Sequence, residues 1–169
     1  MDDAAMTIAE LNGMEEEAFF NKFGEIYGDF DWVADAALDG RPYKSFDELA
    51  TLMRETVDSA SERDRLALLA EWPELSIDGK NLSGLALDEW KEIGMDRLDS
   101  GEAELFEGLN EAYRGMLGIP FVKCLIGETK VSVLRSFGER LLNSREKEIQ
   151  TAFMEIHHTA RQRILRIAE

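Results

Sequence analysis

Glu89 is the carboxylate of this sequence best placed for proton chemistry. It lies between Leu87 and Trp90, in a short apolar stretch bounded by Pro73 on one side and Gly94 on the other. A carboxylate held against aromatic and aliphatic surface loses solvation of its charged form. Its proton affinity then rises toward the range useful to a general acid or base. The competing reading is an ordinary acid on an exposed helix face, which fits most of the other carboxylates. The only histidines are adjacent, His157 and His158. Helical neighbours point about 100° apart, so the pair cannot close on one ion as an i, i+4 pair does, and no metal site is expected. His157 follows Ile156 and reads as a packed residue. His158 precedes Arg161 by three residues and can share its face; it reads either as an acid/base group or as a surface residue. Trp72 and Trp90 flank loop prolines and glycines, where large aromatics either line pockets or fill cores. Cys124, in a Lys-Cys-Leu-Ile-Gly segment, reads as a buried inert thiol.

The elements that must hold these residues follow from apolar spacing. Residues recur every three or four positions in Phe19–Phe20–Phe23–Ile26–Tyr27, in Trp32–Val33–Ala36–Ala37 and in Phe46–Leu49–Leu52–Met53–Val57. Ser45 with Glu48 three residues on has the spacing of a capping box. Helices are also predicted over 62–71, 87–93, 103–116 and 130–142. A long one opens after Ser144 and carries Ile149, Ala152, Phe153, Ile156, Ala160, Ile164 and Ile167. Phe121–Ile126 is the only β-like run. The expected architecture is an all-α, single-domain helical bundle with short loops, residues 1–10 forming an N-terminal extension to a domain over 11–169.

Composition narrows the class. The 169 residues carry 19 Lys+Arg against 35 Asp+Glu, a formal net charge of -16. Proteins that neutralise phosphates need clustered positive charge, so nucleic acid and anionic membrane surfaces are poor partners. Residues 1–120 hold 29 acids and 10 bases, whereas residues 121–169 hold 6 acids and 9 bases. An anionic small molecule would meet its most favourable field in the latter segment. One cysteine excludes an internal disulfide, and no apolar run reaches the length of a membrane span. The first ten residues lack the pattern of a secretory signal, so a cytoplasmic location is expected.

Two strings go further: Leu109-Asn-Glu-Ala-Tyr-Arg-Gly-Met-Leu-Gly-Ile-Pro-Phe-Val122 and, about 30 residues on, Glu155-Ile-His-His-Thr-Ala-Arg-Gln-Arg-Ile164. They resemble the hallmark segments of the OHCU (2-oxo-4-hydroxy-4-carboxy-5-ureidoimidazoline) decarboxylases of urate breakdown. The segments at 41–53, 66–75 and 92–98 fall in that family's order, and the likeness spans residues 11–168. It implies an all-α, cofactor-free, metal-free domain, commonly dimeric. The family's H-P-D-L motif, which supplies its catalytic histidine, reads here Trp72-Pro73-Glu74-Leu75. Its S-x-x-E-Q signature reads Ala86-Leu87-Asp88-Glu89-Trp90, keeping only the glutamate. The loop whose backbone groups contact substrate is intact as Gly118-Ile119-Pro120-Phe121-Val122. The arginine that pairs with the substrate's anionic groups matches Arg161; His158 stands where another arginine is common.

The resemblance thus implies a diverged member acting on a small, planar, anionic or aromatic carboxylated substrate. The reaction expected is cofactor-free decarboxylation, or a related proton transfer or cyclisation. Glu89 would exchange the proton, Arg161 would hold the carboxylate by bidentate hydrogen bonds, and His158 would supply part of the lost acid/base function. Trp72 and Trp90 would stack on the ring, with Pro73, Ala86, Ile119, Phe121 and Val122 completing the binding surface. Two other readings remain: a non-catalytic small-ligand-binding or interaction protein on this scaffold, and a genuine OHCU decarboxylase using a different proton donor.

Overall fold

The computed structural model describes residues 5–169; the first four residues of the expected N-terminal extension lie outside them. Helices are α1 Ile8–Gly13, α2 Glu16–Phe23, α3 Asp31–Asp39, α4 Phe46–Asp58, α5 Glu62–Glu71, α6 Gly84–Glu92, α7 Ser100–Leu117, α8 Lys130–Arg140 and α9 Arg145–Ala168, with a single 3-10 turn at Met95–Arg97. The fold is all-α, and the described residues contain no strand. The β-like run Phe121–Ile126 is instead irregular, with no second strand to pair with it.

Local chemistry sets the helix ends. Thr7 and Glu10 exchange capping-box bonds at the start of α1, as do Asp99 and Glu102 at the start of α7. At α4 the expected box is offset by one residue. Ser45 Oγ accepts the Glu48 N–H at 3.1 Å, but the Glu48 carboxylate takes the N–H of Lys44 at 2.7 Å. The stripe through Phe19–Tyr27 is not one helix. Backbone bonds from Ile26 to Phe23 and from Gly28 to Glu25 wind the chain into successive turns after Phe23, yet Ile26 and Tyr27 remain buried.

The chain groups into two compact units. One comprises the residues up to Leu66 together with Ala160–Glu169; the other is Ala67–Thr159. In the first, α2, α3 and α4 pack around Leu11, Phe19, Phe23, Val33, Leu49, Met53 and Ile164. Asn12 ties down Tyr43 through both backbone groups, at 2.8 and 2.7 Å. Arg163, 5% exposed, donates to the carbonyls of Glu25 and Ile26 at 3.2 and 3.1 Å. In the second unit, α7 packs on α8 around Phe106, Tyr113, Phe121 and Phe137. No helix among the described residues is long and apolar enough to cross a membrane.

Candidate active site

The second unit holds every candidate site residue named from the sequence except Arg161. The Trp72–Ser76 segment leaves α5 as irregular backbone, whose polar groups need side-chain partners. Helix α7 supplies one of them, Asn110 Nδ2 donating to the Leu75 carbonyl at 2.8 Å, and also pairs Arg114 with the Glu74 side chain. Helix α6 supplies a second, with the Trp90 indole N–H donating to the Ser76 carbonyl at 2.7 Å. The edge of that indole lies over Gly79, where φ is +65° and an added Cβ would meet the ring at 3.0 Å. Trp90 is therefore buried in the turn it fastens, with one ring edge and its only donor already occupied. Replacing it with phenylalanine strands the Ser76 carbonyl and is expected to destabilise the protein by about 1–3 kcal/mol, read from the urea midpoint. Trp72 is also buried, and Pro73 is half-buried.

On α6, Ala86, Glu89 and Trp90 stand at i, i+3 and i+4, hence on one face. Glu89 is 5% exposed, the burial its flanking apolar residues imply. Its charge reaches Cys124. Burial pushes that thiol up, Thr159 and the Ile126 backbone oppose the rise, and the negative charges of Glu155 and Glu89 add to it. Glu89 is thus within electrostatic reach of the irregular segment following α7.

That segment starts at Gly118, whose φ of 67° ends α7 in a left-handed turn suited to glycine. Arg145 Nε caps the Leu117 carbonyl at 3.0 Å, and Arg140 Nη1 donates to the Val122 carbonyl. The Cys124 N–H donates to Glu155 Oε2 at 2.9 Å. Ile119, Phe121 and Val122 are all buried. Phe121 stacks on Phe137 at 3.6 Å between ring centroids and meets Tyr113 edge-on. The side chain of Phe121 is thus committed to the core, leaving the backbone as what this stretch can offer a ligand.

On α9, His157 is buried and His158 exposed. His158 lies within electrostatic reach of Glu128, whose carboxyl is held below the ordinary range, first by its hydrogen bond with Ser132. Arg161 belongs to the first unit and forms an exposed ion pair with Asp47 at 2.9 Å. A surface depression of about 420 Å³ in that unit, bounded in part by Pro42, Tyr43, Asp47 and Leu52, is lined by none of the candidate site residues.

Sequence reasoning missed Glu148 and Arg140. Neither is singled out by residue type or motif, yet Glu148 is fully buried. Its Oε2 accepts from Tyr113 Oη at 2.5 Å and Arg140 Nε at 2.8 Å, and its Oε1 accepts from Asn143 Nδ2 at 2.8 Å. Arg140 Nη2 is equally close to Oε2, 2.8 Å, as an ion-pair contact rather than an aligned hydrogen bond. Spacing held the signal: Glu148 stands four residues before Ala152 and eight before Ile156, on the buried stripe.

The sequence model of the OHCU decarboxylase family matches residues 12–165. This chain belongs to that family. It is 33% identical over 97% of its length to a 2-oxo-4-hydroxy-4-carboxy-5-ureidoimidazoline decarboxylase of Haloferax volcanii, 95% of which is covered. A uric acid degradation bifunctional protein of a Bacillus species is 32% identical over 96% of the chain, which spans only 32% of that larger protein. Among solved structures, an (S)-allantoin synthase superposes with a TM-score of 0.76 at 27% identity, covering 97% of this chain and 54% of that one. The family resemblance seen in the hallmark strings therefore holds across nearly the whole chain, and the all-α fold is the family's.

Proposed function

We propose that this family member catalyses cofactor-free decarboxylation of OHCU, or of a close planar analogue, with Glu89 as the proton-transferring group. Loss of CO2 from a carbon bearing both carboxylate and hydroxyl leaves an electron pair that the neighbouring ring C=N bond takes up. The ring nitrogen takes up a proton, the hydroxyl gives up its own to become a carbonyl, and one proton must reach the adjacent ureido-bearing carbon from one face to give a single allantoin enantiomer. Trp72, at the position of the family's histidine, cannot deliver it, because an indole N–H is a donor without a titration near neutrality. The observation that carries the reading is the burial of Glu89 on α6, on the face it shares with Ala86 and Trp90. On this reading His158 is an auxiliary acid/base group, and Trp72, Pro73, Ala86 and the Ile119–Val122 backbone form the binding surface. The same family pattern supports a homodimer.

The test is freshly generated OHCU with allantoin followed by circular dichroism. Accumulation of one enantiomer faster than spontaneous decay is expected. Racemic product at the spontaneous rate overturns the proposal and favours the second reading, a ligand-binding protein, which the exchange of histidine for Trp72 specifically supports.

Arg161 is assigned the substrate carboxylate from sequence. Its pair with Asp47 is 52% and 68% exposed and contributes little to stability. Arg161→Ala should therefore leave the urea midpoint nearly unchanged while raising KM about tenfold or more, the worth of a charged hydrogen bond. An unchanged KM would remove Arg161 from the site.

A further inference from the structure

The segment between α7 and α8 makes few backbone hydrogen bonds of its own, so side chains determine its path. Arg140 engages it at two points: Nη1 donates to the Val122 carbonyl, and the guanidinium lies 4.4 Å from the centroid of the Phe121 ring. Phe121 is held from its other side by Phe137. Arg140 is fixed in turn by Glu148, which Tyr113 and Asn143 orient. The Val122–Lys123 peptide is trans, so its N–H points opposite to its C=O. A guanidinium on the Val122 carbonyl therefore directs the Lys123 N–H away from α8. Glu155, on the Cys124 N–H, fixes the next peptide plane in the same manner.

We propose that Arg140 is a positioning residue for the reaction: anchored by the buried Glu148 carboxylate, it sets the Phe121 ring and the Val122 peptide, and so the orientation of the backbone groups the Gly118–Val122 loop offers to substrate. The inference rests on the proposed decarboxylase reading, in which that backbone contacts substrate. A lysine at 140 keeps a charge for Glu148, but as a point charge it lacks the planar fork that spans carboxylate, carbonyl and ring.

Cys124 provides the assay, being the only cysteine, buried, and two residues beyond Val122. Arg140→Lys is compared with wild type and with Ser45→Ala, a control weakened at a helix cap in the other unit. All are labelled with a thiol reagent at urea concentrations giving equal stability. The variant is expected to label Cys124 about tenfold faster than the control and to lose about ten- to hundredfold in kcat with KM changed by less than about threefold. Labelling equal to the control overturns the clamp, and faster labelling with unchanged kcat overturns its positioning role. If Arg140→Lys does not fold, Phe121→Leu, which leaves the buried ion pair intact, takes its place in both measurements, and the same two results overturn the clamp and the positioning role. Absence of OHCU turnover in the wild-type protein overturns the proposed function but not the clamp, which the labelling ratio decides by itself.

Discussion

Glu89→Gln is expected to slow stereoselective decarboxylation by about 10²–10⁴-fold, the usual contribution of a positioned acid or base. Glutamine keeps the shape of the side chain, so the packing of a residue only 5% exposed changes little. What it loses is the ability to ionise. Proton delivery to carbon is needed in the transition state and not in the bound substrate, so kcat and kcat/KM should fall together. The product that still forms should tend toward the racemate, because protonation then comes from water. The measurement is the initial rate and optical activity of allantoin, beside a urea curve showing that the variant is folded. A kcat within about threefold of wild type would remove Glu89 from proton transfer and return the role to another group.

Glu148→Ala should be the most damaging single change to stability, at about 3–5 kcal/mol, because it leaves the Arg140 cation buried without its counter-charge. Against a typical total of about 5–15 kcal/mol this is a large fraction, and the urea midpoint should drop sharply with little change in slope. The effect has a pH signature. Burial alone would raise the Glu148 carboxyl, but hydrogen bonds from Arg140, Tyr113 and Asn143 outweigh it and hold the group below its ordinary value of 4.5. A depressed folded-state value means that the carboxylate's contribution is fully present above the ordinary value and is lost as pH falls through the folded one. The stability gap between wild type and Glu148→Gln should therefore be constant above about pH 5 and shrink on acidification below it. A gap independent of pH would show that folding leaves the proton affinity of Glu148 unchanged.

Fold and site were unequally visible in the sequence. Helices α3, α4, α5, α7 and α9 announce themselves through apolar residues at three- and four-residue spacing, because one face of each meets a core. The short α1 was missed although Thr7 and Glu10 carry a capping box, since a six-residue helix has too little periodicity to register. Helix α6 begins at Gly84 rather than near Leu87; a glycine is a poor helix former at its first position, and its N-cap Ser83 makes no side-chain capping bond. At the candidate site the contrast is sharper. The burial of Glu89 and Cys124 was legible because apolar residues lie close by in sequence, Leu87 and Trp90 for the one and Leu125 and Ile126 for the other. The clamp on the loop was not, because it joins Tyr113, Val122, Arg140 and Glu148 across 8 to 35 positions and uses charged residues that composition assigns to the surface. Local pattern encodes which face of a helix is inside; it does not encode which buried charge meets which.

The contact between Trp90 and Gly79 also bears on how such a chain can change over generations. With an indole resting on the bare backbone, position 79 is closed to any side chain, both for want of room and because its φ of +65° disfavours one. Position 90 is closed in the other direction: a return to the family's glutamine would open a hole above a residue that has nothing with which to fill it. Each residue makes the other hard to replace alone. A loss of the indole therefore cannot be made good by a larger residue at 79, and the two positions are expected to tolerate substitution poorly, singly or together.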